Sequence, residues 1–141
     1  MQNSVSFFHM LLKDFYTVIH RSGPERELSM SGVPAEKYSF KIELNPSHPV
    51  YEGHFSGNPV VPGVCQLQMI LELVSLIKGC ALRLKQADNV KFISLMVPLK
   101  NRIIDANIHL KTAENGDISV SATIQEGEVV FLKFKGLFIH E

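Results

Sequence analysis

An α+β fold, with one long central helix against five or six mostly antiparallel strands, is predicted by three features of the sequence. The first is an apolar stretch from Val64 to about Gln86, where Ile70, Leu73, Ile77 and Leu84 share one helical face. Leu67, Val74 and Ala81 flank that face, while Gln68, Glu72, Ser75 and Gly79 fall on the opposite stripe. The second is strict alternation late in the chain: Ile104, Ala106, Ile108 and Leu110, then Ile118, Val120, Ala122 and Ile124. The third is Asn115-Gly116 between those two runs, a strong hairpin signal. Strands grouped together after one helix fit α+β better than an alternating parallel layout.

The remaining elements follow in order. Phe7 to Ile19 mixes aromatic and β-branched residues and predicts a short helical turn followed by a first strand. Arg21 to Glu36 carries Gly23-Pro24, Gly32 and Pro34 among polar residues, which predicts a connecting loop. Tyr38 to Leu44 alternates at period two and predicts a strand with one wet face. Asn45 to Tyr51 is rich in turn residues. Beyond the helix, strands are predicted at Phe92–Val97, Arg102–Thr112, Asp117–Gln125 and Glu128–His140. A sheet of this kind leaves an edge exposed, and such edges tend to pair across a two-fold axis, so a homodimer is expected.

With 141 residues, the chain is expected to form one domain over 1–141. Fourteen basic and fourteen acidic residues cancel, so bulk attraction to nucleic acid or to a membrane surface is not indicated. No apolar stretch approaches the length of a membrane span, and Phe7–Leu12 is too short for a signal segment. Cys65 and Cys80 stand fifteen residues apart on the predicted helix, about 22 Å at the helical rise. They cannot pair, and the chain reads as reduced and cytoplasmic. There is no Gly-x-Ser-x-Gly elbow and no His-Glu-x-x-His zinc motif.

The segment that carries chemistry runs from His54 to Val64: His-Phe-Ser-Gly-Asn-Pro-Val-Val-Pro-Gly-Val. Histidine titrates near neutrality and can act as a base. Pro59 and Pro62 stiffen the loop. The helix that follows begins with N–H groups lacking intrahelical partners, at the positive end of its dipole, where a developing oxyanion would be stabilised. The other histidines (His9, His20, His48, His109, His140) are scattered and read as structural or solvated. Of these, His48 is nearest to the loop.

His54-Phe55-x-Gly57-x-Pro59-x-x-Pro62-Gly63 before a long helix resembles the 3-hydroxyacyl-acyl-carrier-protein dehydratases, and the order of elements fits along nearly the whole chain. The resemblance implies the hotdog fold and action on acyl thioesters in fatty acid or lipid synthesis. It implies His54 as the base, the amides of Gly63 and Val64 as the oxyanion donors, and Phe55 beside them at the substrate. It implies an acyl carrier protein as partner, and neither cofactor nor metal. The family's acid is a Glu or Asp fourteen residues after the histidine, and here that position is Gln68. An amide cannot deliver a proton. Glu72, one turn on, shares a helix stripe with Gln68 and could act directly or through one water.

On periodicity alone, Gln68, Glu72 and Ser75 read as a solvated helix face. The resemblance makes Gln68 a site residue and leaves Glu72 open. Two smaller departures are Ser56, often Pro in the family, and Pro98-Leu99-Lys100, commonly Pro-Gly-Asp. Two other functions stay open: a hotdog thioesterase, and a catalytically silent or heterodimeric acyl-binding subunit. A basic patch drawn from Lys78, Arg83, Lys85, Lys100 and Arg102 is expected to steer an acidic carrier.

Overall fold

The computed structural model describes residues 14–28, 30–52 and 57–141. Six strands form one sheet: β1 (Tyr16–Leu28), β2 (Pro34–Leu44), β3 (Leu82–Phe92), β4 (Ile103–Thr112), β5 (Ile118–Glu126) and β6 (Val129–His140). Their spatial order is β1-β2-β4-β5-β6-β3, with every neighbouring pair antiparallel. A 3-10 turn at Pro49–Glu52 and a helix, α1 (Gly63–Lys78), lie between β2 and β3. This one-helix, six-strand antiparallel layout is consistent with the hotdog fold.

Alternation decides which face of the sheet meets the helix. Ile104, Ala106, Ile108 and Leu110 of β4 and Ile118, Val120, Ala122 and Ile124 of β5 are buried, in one core with Met69, Ile70, Leu73 and Val74 of α1. The outward positions between them, such as His109, Lys111, Ser119 and Ser121, are exposed. The hairpin at Asn115-Gly116 is present, with Gly116 at φ 92° and its N–H donating to the Ala113 carbonyl.

Three expectations are corrected. The helix covers 16 residues, not the stretch to Gln86. Gly79 takes the left-handed conformation (φ 67°, ψ 26°), and its N–H donates to the Ser75 carbonyl at 2.8 Å. That closes the last turn and releases Leu82–Phe92 into β3. Arg21 to Glu36 is not a loop: β1 runs to Leu28 and β2 begins at Pro34. Pro24 is accommodated because β1 borders only β2, and a register shift between Ser22 and Glu25 absorbs it. Lastly, Phe92–Val97 is strand only at Phe92. The following segment is tied down by single bonds, Ile93 N–H to the Phe131 carbonyl and Val61 N–H to the Met96 carbonyl. The helical turn expected before β1 lies outside the described residues.

Cys65 and Cys80 are both free. Cys80 stands beyond the helix end, its Sγ 3.5 Å from Nδ1 of His140.

Candidate active site

Pro62 forms the N-cap of α1 in an extended conformation (φ −60°, ψ 144°), with no side-chain cap. Its carbonyl accepts the N–H groups of Cys65 (3.0 Å) and Gln66 (3.2 Å). Gly63 and Val64 therefore present the first helical amides, which no intrahelical carbonyl can reach. Val64 is 73% exposed, so the helix start opens to solvent. The Phe92 ring lies against the Gly63 backbone, and a Cβ there would sit 2.7 Å from its Cζ. A side chain at 63 would displace that ring. His54 and Phe55 lie outside the described residues.

Further along the helix, Glu72 is only 7% exposed and is not part of a solvated face. Its Oε2 accepts the Nε2 amide of Gln68 at 3.1 Å, the contact that i, i+4 spacing allows. Its Oε1 accepts the hydroxyl of Tyr16 at 2.8 Å. Burial, then the neighbouring Glu72 charge, push the Tyr16 phenol far above its ordinary range, so it remains a donor. Cys65 lies one turn before Gln68, and burial and the Glu72 charge push its thiol up as well. Tyr51, from the 3-10 turn, is raised by burial and by Cys65, and its hydroxyl has no hydrogen-bond partner among the described residues. The structure thus brings Gln68 and Glu72 together on a stripe where Glu72 and Ser75 are buried and Gln68 is half-buried, with Tyr16 closing the stripe from β1.

Tyr16 was invisible to the sequence reading. It stands 56 residues from Glu72, outside any motif, and only the strand packing brings them together. His48 is a core histidine: it is buried, its Nδ1 accepts the Val50 N–H at 3.0 Å, and its ring meets Phe15 edge-on. The expected basic patch divides between the two ends of the helix. Lys78 bonds Thr112 Oγ1 at the C-terminal end, where Arg83 and Lys85 begin β3. Arg102 pairs with Glu43, and its carbonyl accepts the Leu44 N–H. It and Lys100 follow the segment that bonds Val61, at the helix start, about 22 Å away. The Pro98-Leu99-Lys100 turn is closed by Asn101, whose Oδ1 accepts the Val97 N–H and whose Nδ2 donates to Glu126. Among the described residues, no group of three or more His, Cys, Asp or Glu could hold a metal ion. No helix among them is long and apolar enough to cross a membrane.

No curated protein matches this sequence. Among solved structures, an uncharacterized protein from Erwinia carotovora subsp. atroseptica is similar, with a TM-score of 0.61 and 19% identity over 89% of this chain and 96% of that one. The dehydratase heterocomplex ApeI:P from Xenorhabdus doucetiae is also similar, with a TM-score of 0.58 and 16% identity over 86% of this chain and 96% of that one. Both likenesses concern the fold. The model of the ApeI-like family, described as ApeI dehydratase, matches residues 31–132, which include the His54 motif, α1 and most of the sheet, and the chain therefore belongs to the ApeI-like dehydratase family.

Proposed function

We propose that this protein removes water from 3-hydroxyacyl thioesters presented on an acyl carrier protein, as one hotdog domain that works as a dimer in the cytoplasm. The observation that carries the acid assignment is the Glu72 carboxylate bonded to Gln68, the residue that stands where related dehydratases keep their acid. In this reading His54 takes the α-proton. Negative charge then grows on the thioester oxygen and is met by the N–H groups of Gly63 and Val64. The bond from the β-carbon to its hydroxyl breaks, a double bond forms between the α and β carbons, and the hydroxyl leaves as water. The proton for that water comes from Glu72, directly or through one bridging water, while Gln68 holds the hydroxyl. Glu72 enters the step as the neutral carboxylic acid and leaves it as the carboxylate. Before the next turnover Glu72 takes up a proton from solvent and His54 gives up the α-proton. Phe55 lies against the acyl chain. Moving the carboxylate one turn along the helix keeps it on the same stripe, which supports its serving the same reaction.

The test is turnover of a carrier-bound 3-hydroxyacyl thioester by the purified protein, followed by enoyl absorbance. Loss of His54 to Ala should lower the rate by about 10² or more, and Glu72→Gln by about 10²–10⁴, with folding intact. An active wild type whose Glu72→Gln variant is fully active would remove Glu72 from the mechanism.

A second reading has specific support, because a solved neighbour is described as a heterocomplex. In it this chain supplies His54 and the helix start, while another hotdog chain supplies the carboxylate. The protein alone is then inactive, and Gln68→Glu creates activity.

A further inference from the structure

We propose that Tyr16 is a positioning residue of this site: its hydroxyl holds Oε1 of Glu72 and thereby presents Oε2 to Gln68, fixing carboxylate and amide together. The inference rests on the reading of Gln68 and Glu72 as site residues and names what orders them. A glutamine amide can turn over, exchanging its donor and acceptor ends, unless a neighbour dictates the choice. Here the neighbour is Oε2 of Glu72, 3.1 Å from Nε2, so the donor end faces the carboxylate and Oε1 of Gln68 faces away from it. That choice holds only while the carboxylate keeps its own orientation. Tyr16 supplies the second point of attachment, at 2.8 Å.

The geometry favours this role over simple filling of space. Tyr16 comes from β1, an edge strand that β2 alone borders, and most of that strand is exposed. Its first residue is an exception, packed against the core with its ring edge-on to Phe15 at 6.5 Å. Burial and the nearby carboxylate hold the phenol protonated, so it can only donate toward Glu72. A hydrogen bond to a charged group is stronger than one between neutral partners.

Tyr16→Phe keeps the ring and removes the hydroxyl. The expected result is a folded protein in which the Gln68 side-chain amide resonances move and lose separation, because the carboxylate that fixed them has lost the Tyr16 hydroxyl. If Gln68 and Glu72 act in turnover, kcat should fall about tenfold while KM stays within about twofold, as expected when an oriented group rather than substrate affinity is lost. Unmoved Gln68 resonances in folded Tyr16→Phe would overturn the proposal, whatever the activity. An inactive wild type would instead count against the dehydratase reading and leave the resonance test standing. Should Tyr16→Phe fail to fold, 3-fluorotyrosine placed at position 16 gives a second measurement. Its fluorine signal should show no ionisation up to the alkaline limit of folding. Titration at the pH of free fluorotyrosine would overturn the proposal.

Discussion

Two sides of α1 carry buried residues that are held in different ways. On one side Met69, Ile70, Leu73 and Val74 lie against the sheet at 0–1% exposure. On the other, Cys65, Glu72 and Ser75 are between 5 and 7% exposed. The first side is stabilised mainly by apolar contact, which makes no directional demand, with one buried polar residue, Gln66, whose Nε2 donates to the Val61 carbonyl. The second carries polar groups, each of which costs free energy unless it finds a partner. Glu72 is bonded by Tyr16 and Gln68, while Ser75 Oγ and Tyr51 Oη have no partner among the described residues. Burial on the polar side is therefore a cost that the fold sustains for these groups, and what marks the site is a buried carboxylate held by side chains from two elements.

The sharpest contrast comes from cutting into the apolar side. Ile70→Ala should lose about 2–5 kcal/mol, the range for deleting a buried aliphatic side chain that the surroundings cannot refill. Urea unfolding measures it as a lower midpoint at an unchanged slope. A loss under about 1 kcal/mol would mean that this side is loosely packed.

An intermediate effect is expected from alkali, which acts on the polar side of the helix and spares the apolar one. Cys65, Tyr16 and Tyr51 are all raised above their ordinary values of 9.0 for the thiol and 10.0 for the phenols. A raised value means that the folded chain holds the proton more tightly than the unfolded one. The resulting stability is fully present below pH 9 and is lost as the pH rises above it, first through Cys65 and then through the phenols. Each group contributes a slope of at most about 1.4 kcal/mol per pH unit. Stability that stays flat from pH 8 to pH 11 would show that these groups reach solvent.

The smallest change is expected at Ser75. With its hydroxyl unpartnered among the described residues, Ser75→Ala should alter stability by no more than about 0.5 kcal/mol and is expected to raise it, since Ala also favours the helix. A loss above about 1 kcal/mol would reveal a partner for the hydroxyl.

Much of the fold was legible locally. The alternation of β4 and β5, the Asn115-Gly116 turn and the apolar face around Ile70 and Leu73 appear where periodicity puts them. The helix end was not, because Ile77 and Leu84 stand at a spacing that suits a continuing helix equally well. Gly79 carried the stop signal, and only its left-handed backbone made that signal count. At the site, the motif drew attention to Gln68 and Glu72, yet the wheel placed them on a solvated face. A helical wheel knows the helix alone and not what the first strand lays over it.

The residue types and their spacing by themselves determined that this chain builds one helix against an antiparallel sheet, and that Gln68 and Glu72 share a stripe. Those are consequences of local geometry, set by 3.6 residues per turn in a helix and two in a strand. The tertiary structure alone decided that Glu72 on that stripe is buried and that Tyr16 completes it. Bringing together groups 56 residues apart depends on the path of the whole sheet, which no local pattern encodes.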